Sequence, residues 1–228
     1  MVWSLDDVKR FYATVGQRTQ DSKYKSEKIE EYHELEEEFL RKEIPRASSV
    51  LEVGCGKGRI LDLLKDRCIE LVGVEYIPEV AEETAKRFED WPNVEVIYGD
   101  ILEMDGILPE NHFDYVLCMF NTLGTIPKPY DEKAVDLFKK WVRPGGKIIL
   151  SVYSEDALEE QLILYDKAGW NILAFDEEAV YTKEGLVSRR YTEDKLRDYF
   201  KLYDDFDVDV MKLNDISYIL VAKKRGMR

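Results

Sequence analysis

Two histidines and three cysteines leave little material for a metal centre, and Cys55, Cys68 and Cys118 stand far apart in no ligand-like spacing. An odd, scattered set of thiols also speaks against a disulfide framework and suits free cysteines in a reducing compartment. No apolar run approaches the roughly 20 residues that cross a bilayer. The opening Met1-Val2-Trp3-Ser4-Leu5-Asp6-Asp7 lacks the basic and apolar regions of a secretory leader. A cytoplasmic protein with no membrane partner is therefore expected. Positive charge is short as well: 33 Lys and Arg against 47 Asp and Glu give a formal net charge of -14. Nucleic-acid affinity comes largely from neutralising phosphates, so a nucleic-acid partner is disfavoured.

What is present is an α/β pattern. With 45% hydrophobic residues in 228, the chain can bury one substantial core, and no repeat, low-complexity tract or linker divides it, so 1–228 reads as a single domain. Residues 1–24 show little periodicity, and Gly16-Gln17-Arg18-Thr19-Gln20 reads as a flexible break, which predicts an arm outside the core. From Lys25 to Lys42, Ile29, Tyr32, Leu35, Phe39 and Leu40 fall near helical spacing opposite Glu30, Glu31, Glu34, Glu37 and Glu38. Pro45 ends that helix.

Apolar strands then alternate with helices. Strands are expected at 49–53, 69–75, 94–98, 114–119 and 147–152, and the helix carrying Ala134, Leu137, Phe138 and Trp141 is expected to end at Pro144-Gly145-Gly146. Such alternation implies a parallel sheet covered on both faces, a doubly wound three-layer αβα sandwich. Residues 155–168 read as a helix, and 171–191 as two short strands joined near Lys183-Glu184-Gly185. Thr192 resembles the N-cap of a helix with Leu196, Tyr199 and Phe200. A hairpin around Asn214-Asp215 should bring in an antiparallel last strand.

The chemistry gathers at strand ends. Gly54, Gly56 and Gly58 leave no Cβ between backbone and ligand, and a helix beginning near Lys57 would aim its positive end at the same place. The dinucleotide fingerprint would need glycine at position 59, which is Arg59, so nicotinamide and flavin cofactors are disfavoured. Glu75 closes the second strand 19 residues after Gly56, where a carboxylate accepts from both ribose hydroxyls. Gly99-Asp100-Ile101 adds an acid for an adenine amino group and an apolar side chain for the ring.

Glu52-Val53-Gly54-Cys55-Gly56-Lys57-Gly58, Glu75, Gly99-Asp100 and Arg143-Pro144-Gly145-Gly146-Lys147 together resemble the class I S-adenosylmethionine-dependent methyltransferases over roughly residues 48–152. The resemblance implies a seven-stranded, mostly parallel sheet of order 3-2-1-4-5-7-6 with a reversed last strand, and S-adenosyl-L-methionine as cofactor. It places Glu52, Gly54, Cys55, Gly56 and Gly58 near the methionine moiety, Glu75 on the ribose, Tyr76 against adenine, Asp100 and Ile101 on the adenine edge, and Met119 and Phe120 at the methyl-transfer point. It also casts 1–45 as an arm and helix that lid the site, 46–152 as the cofactor-binding core and 153–228 as a substrate-side excursion with a final hairpin.

Met119-Phe120-Asn121-Thr122-Leu123-Gly124 is similar to the corresponding turn of small-molecule methyltransferases akin to the glycine N-methyltransferase group, whereas the Asp/Asn-Pro-Pro-Tyr/Phe sequence of many exocyclic-amine and glutamine methyltransferases is absent. Asn121 either orients cofactor or amine or simply forms the turn. His33 is a candidate general base, or else a partly exposed helical histidine. Tyr24 is a further catalytic candidate, and Phe11, Tyr12, Tyr24 and Tyr32 either form the lid or pack on the sheet. Tyr12, Tyr24, Asn121, Arg189 and Arg190 are the substrate-binding candidates, the arginines for a carboxylate or phosphate. The expected activity is methylation of N or O on a small molecule. RNA or protein methylation and a noncatalytic cofactor-sensing module are the alternatives, and a homodimer is left open.

Overall fold

The computed structural model describes residues 5–14 and 16–226. Its main sheet is built from β1 (Ser49–Val53), β2 (Glu70–Glu75), β3 (Val94–Tyr98), β4 (Phe113–Cys118), β5 (Val142–Tyr153), β9 (Phe206–Asn214) and β10 (Ser217–Lys224), in the order β3-β2-β1-β4-β5-β10-β9. β10 runs antiparallel to both β5 and β9, while β1 to β5 pair in parallel. The expected class I sheet order is therefore present, with the hairpin strands as β9 and β10.

The period-two pleat sorts the strand residues into two layers. Leu51, Val72, Val74, Val116, Ile148 and Leu150 face α6 (Tyr130–Trp141). Val50, Leu71, Leu117 and Ile149 face α2 (Glu27–Glu43) and α3 (Arg59–Leu64). Strands buried on both faces explain the near-continuous apolar runs that predict them. The connecting α4 (Pro78–Arg87) opens on its proline, as expected. Ser26 caps α2 by accepting from the Ile29 amide, and Thr192 caps α8 (Glu193–Asp198) by accepting from that of Lys195.

Four readings need correction. The N-terminal stretch is not an arm outside the core: α1 (Leu5–Tyr12) buries Phe11 completely against Trp170, and Gly16–Gln20 is a 3-10 turn whose Arg18 donates to the Ala168 carbonyl at 3.2 Å. Helix α6 stops at Trp141, and Arg143–Gly146 form a bulge inside β5, since Phe113 faces Val142 while Tyr115 already faces Lys147. A Cβ on Gly146 would lie 2.7 Å from the Asp114 carbonyl, which is why the bulge carries glycine there. The excursion after α7 (Leu158–Lys167) contains three strands, not two: β6 (Ile172–Phe175), β7 (Ala179–Thr182) and β8 (Val187–Arg189) form their own antiparallel sheet. Finally, α3 begins at Arg59 and spans only six residues, so its end offers a weaker positive pole than the sequence suggests. The leader reading at Met1–Ser4 lies outside the described residues.

Candidate functional site

A cavity of about 650 Å³ lies over the C-terminal ends of β1 to β4 and is lined by Glu52, Gly54, Glu75, Asp100 and Met119 among others. The glycine turn enters it from β1. Gly54, Gly56 and Gly58 all have left-handed backbones, with φ of 73°, 52° and 77°. At two of these positions the side-chain space is filled by protein and not by ligand. A Cβ would come within 2.6 Å of Thr122 at Gly54 and within 2.5 Å of Phe88 at Gly58.

Glu75 serves the turn before it serves any ligand. Its Oε2 accepts from the Gly56 amide at 2.9 Å and its Oε1 from the Ile77 amide at 2.8 Å. Burial raises its carboxyl above the ordinary range, and those amides oppose the shift. The Tyr76 amide opposes it as well, and the carboxylate's remaining lone pairs can accept from a hydroxyl donor. Asp100 Oδ1 caps the 3-10 turn Ile101–Glu103 by accepting from Leu102 at 2.9 Å. Tyr76 and Ile101 line the cavity beside it, and the Lys9 ammonium sits 5.2 Å from the Tyr76 ring centre.

Glu52 is the anomaly of the site. It is buried and lines the cavity, and its Oε2 has no hydrogen-bond partner. Burial pushes its carboxyl well above the ordinary range; Arg59 pulls the other way, while Glu36 and Glu75 add to the rise. Arg59, the cation acting on it, is already bonded to Glu36 and, at 3.3 Å, to Glu37.

Glu36 is a site residue that sequence reasoning missed. It sits on the buried stripe Ile29, Tyr32, His33, Glu36 and Leu40 of α2. A glutamate standing on an apolar stripe was the available signal. Its carboxylate accepts from Ser151 Oγ and, at 2.8 Å, from the Phe120 amide. Phe120 and Asn121 both have left-handed backbones, φ 45° and 57°, which non-glycine residues rarely adopt. The turn is held further by Asn121 N donating to the Ser151 carbonyl at 2.9 Å.

Of the candidate catalytic residues, Asn121 lines the cavity, but its amide is engaged on both sides. Oδ1 accepts from Tyr153 N at 3.2 Å and Nδ2 donates to Ser188 Oγ at 3.1 Å, which is the turn-forming role. His33 also lines the cavity and is buried, not partly exposed. Its Nδ1 lies 3.1 Å from Lys25 Nζ, and its Nε2 has no partner. Burial, with Arg59 and Lys25 adding to it, holds this imidazole well below its usual pKa and therefore neutral.

Tyr12 lines the cavity, with burial raising its phenol to about 12. Tyr24 does not line it and packs instead at the edge of the cluster around Phe11 and Trp170. Arg189 and Arg190 also lie outside it, along a second space of about 320 Å³. Arg189 is tied to Asp131 at 3.1 Å and to the Leu123 and Ile126 carbonyls; Arg190 is tied to Gln161 Oε1 at 2.7 Å. Both arginines thus brace the fold around α5 (Thr122–Thr125) and β8. Cys55, Cys68 and Cys118 are free and buried, and burial raises the Cys118 thiol to about 12, so none is poised as a nucleophile. No helix among the described residues is long and apolar enough to cross a membrane.

Residues 50–146 match the family described as methyltransferase domain. Among curated proteins, ribosomal RNA small subunit methyltransferase A from Geobacter metallireducens is 45% identical over 56 residues, covering 25% of this chain and 20% of that protein. Ribosomal protein L11 methyltransferase from Burkholderia orbicola is 33% identical over 116 residues, covering 50% of this chain and 35% of that protein. The chain thus spans no more than 35% of the length of these two relatives. Among solved structures, the PH0226 protein from Pyrococcus horikoshii superposes with a TM-score of 0.70 at 22% identity, over 95% of this chain and 99% of that one. A DhpI-SAM-HEP complex superposes at 0.69 with 17% identity, over 96% and 97%. Both share the fold.

Proposed function

Residues 50–146 form a methyltransferase domain, and the sheet around them is that of the class I S-adenosylmethionine-dependent methyltransferases; from this premise we propose that the chain methylates a nitrogen or oxygen of a small molecule. The observation that carries the reading is Glu52, a buried carboxyl group whose Oε2 has no hydrogen-bond partner, in a glycine-lined cavity. An orphaned buried anion is costly and asks for a cation. The ammonium of a methionine moiety supplies one, so these residues fit S-adenosyl-L-methionine.

Glu52 and the backbone of Gly54, Cys55, Gly56 and Gly58 would hold the methionine end, Glu75 the ribose, Tyr76, Asp100 and Ile101 the adenine, and Met119 and Phe120 the side where the methyl departs. When bound, the cofactor supplies an electrophilic methyl carbon on a positively charged sulfur. The chain's own work is positional. Glu36 and Ser151 hold the Phe120 turn against its strain, so that the reacting groups meet in line without a search. The Phe120 and Tyr12 rings and the carboxylates of Glu52 and Glu75 surround the site with negative potential.

A small acceptor is favoured by the strap over the cavity. Lys9 Nζ donates to Tyr98 Oη at 2.9 Å on one side and Arg18 donates to the Ala168 carbonyl on the other, with Val8, Tyr12 and Thr19 lining the space between. A polymer would have to displace this segment. The curated relatives are named for RNA and ribosomal protein, so the test must include both. Purified chain with tritium-labelled S-adenosylmethionine is expected to label a metabolite extract and not total RNA or ribosomal protein. Label in RNA or polypeptide overturns the acceptor class, and tight cofactor binding with no methyl consumption overturns the activity.

A further inference from the structure

We propose that the end of the cavity between Tyr12, Tyr153 and Trp170 is a subsite for an uncharged nitrogen heteroaromatic whose ring nitrogen receives the methyl group, an inference that rests on the methyltransferase reading above. Its walls are rings fixed before any ligand arrives. Tyr165 and Trp170 stack at 4.1 Å with 17° between their planes, and Phe11 meets Trp170 edge-on at 4.5 Å. Tyr32 and Phe120 approach Tyr153 with centroids 5.8 and 6.0 Å away. Flat, preorganised faces favour a flat ligand, because little side-chain freedom is lost on binding.

The polar groups decide the charge. Cavity-lining Tyr153, Leu164, Tyr165, Trp170 and Ser188 include no ionised side chain, whereas the charged lining residues, among them Glu52, Glu75 and Asp100 at the strand ends and Glu37, Arg59 and Asp62 on α2 and α3, come from other elements. An ionic acceptor would therefore lose its hydration against walls that themselves carry no counter-charge, since the charges acting on Tyr153 and Tyr165, those of Glu36 and Arg190, are already engaged within the protein. Ser188 Oγ is consumed by Tyr165 Oη at 2.7 Å, by Gln161 at 3.1 Å and by Asn121 at 3.1 Å. His33 Nε2 is left over, on a residue only 8% exposed. Burial and Arg59 lower the Lys25 pKa, but as an ammonium it has only hydrogens to give, so with Lys25 donating to Nδ1 the imidazole hydrogen belongs on Nε2. The site thus offers one N–H for a second polar atom of the ligand.

The same tautomer takes His33 out as a base, and the cavity's Glu52, Glu75 and Asp100 are engaged by the cofactor in the reading above. His33 has no lone pair left to take a proton, and burial keeps the Tyr12, Tyr153 and Tyr165 phenols protonated. The nucleophile must arrive with a lone pair and no proton to lose, as a pyridine-type nitrogen does. Its pair forms the bond to the methyl carbon while the carbon–sulfur bond breaks and leaves its pair on sulfur. One positive charge passes from sulfur to nitrogen, where the aromatic walls continue to face it.

The test uses the whole chain. Calorimetry first establishes that S-adenosylmethionine binds; quinoline, 2-naphthol, glycine and decylamine are then compared as acceptors, with mass spectrometry of the products. Quinoline is expected to turn over at least tenfold faster than the other three and to yield N-methylquinolinium. Trp170→Ala should raise the KM for quinoline at least tenfold with cofactor affinity unchanged, and Trp170→Phe should restore most of the loss. Cofactor binding without quinoline turnover, or faster methylation of 2-naphthol, glycine or decylamine, overturns the subsite. Absence of cofactor binding overturns the underlying reading as well.

Discussion

The Glu36 carboxylate accepts the Phe120 amide hydrogen at 2.8 Å, so a residue of the second helix holds a turn that lies 84 positions later in the chain. The same carboxylate binds Ser151 and Arg59, joining helix α2, the glycine turn and two central strands at one buried point. Glu36→Ala leaves the Arg59 guanidinium with Glu37 alone and the strained Phe120 amide with Ser151 Oγ alone. It should cost about 1–3 kcal/mol, because Arg59 is partly exposed and both groups keep a second partner. Glu36→Gln keeps an acceptor for Phe120 and should lose less. Thermal unfolding with kcat and KM on the same variants checks this; an alanine variant within about 0.5 kcal/mol of wild type would remove the clamp from the account.

Glu75→Gln replaces one of two amide-accepting oxygens by an NH2 group, setting donor against donor at Gly56 or Ile77. Stability should fall by about 1–3 kcal/mol, together with a loss of cofactor affinity. A variant that loses affinity while keeping its full Tm would show that the carboxylate serves the ligand alone.

Glu52 is held above the ordinary carboxyl range in the folded protein, while the unfolded chain titrates at the ordinary value of about 4.3. The unfolded state therefore releases its proton first. The stability tied to this group is complete below that value and is lost as pH rises towards the folded pKa. Glu52→Gln cannot ionise, so cofactor-free variant should gain Tm relative to wild type between pH 4 and pH 8 while binding S-adenosylmethionine more weakly. A Tm difference that stays constant with pH would contradict the shift.

His33 is displaced the other way, with the folded pKa depressed below the ordinary 6.5 or so. Its contribution is present above that value and is lost as pH falls towards the folded pKa, because the unfolded state binds the proton first. Nitrogen-resolved NMR of the imidazole should find the Nε2–H neutral form still dominant at pH 6. An imidazolium at pH 6, or the Nδ1–H form, would refute the assignment.

Gly58→Ala should be the most disruptive of the glycine-turn substitutions. The position combines φ 77° with a Cβ only 2.5 Å from the Phe88 ring, so backbone strain adds to a steric clash. Denaturant unfolding should register a loss of at least 1–2 kcal/mol, roughly the cost of one strained residue; an unchanged midpoint would mean that Phe88 yields freely.

How far the chain could be read without coordinates depends on the range of the interactions involved. Strands β1 to β5, the N-cap at Thr192 and the glycine turn follow from periodicity and local chemistry, which act over a few residues. Local pattern also misled. Arg143–Gly146 look like a helix stop, yet pairing with β4 makes them a strand bulge, and the polar stretch before Lys25 looks detached although Phe11 is pinned by Trp170, a residue distant in sequence.

The sequence by itself therefore determined the αβα sandwich, the glycine cradle and the acids at the strand ends, because an alternating apolar pattern can be buried in few other ways. Only the tertiary structure decided what each polar group does. Packing orphaned Glu52, turned Glu36 inward onto the Phe120 turn, tied Arg189 and Arg190 into the scaffold and left the His33 imidazole neutral. Those roles depend on burial and on partners distant in sequence, and neither is written in the spacing of neighbouring residues.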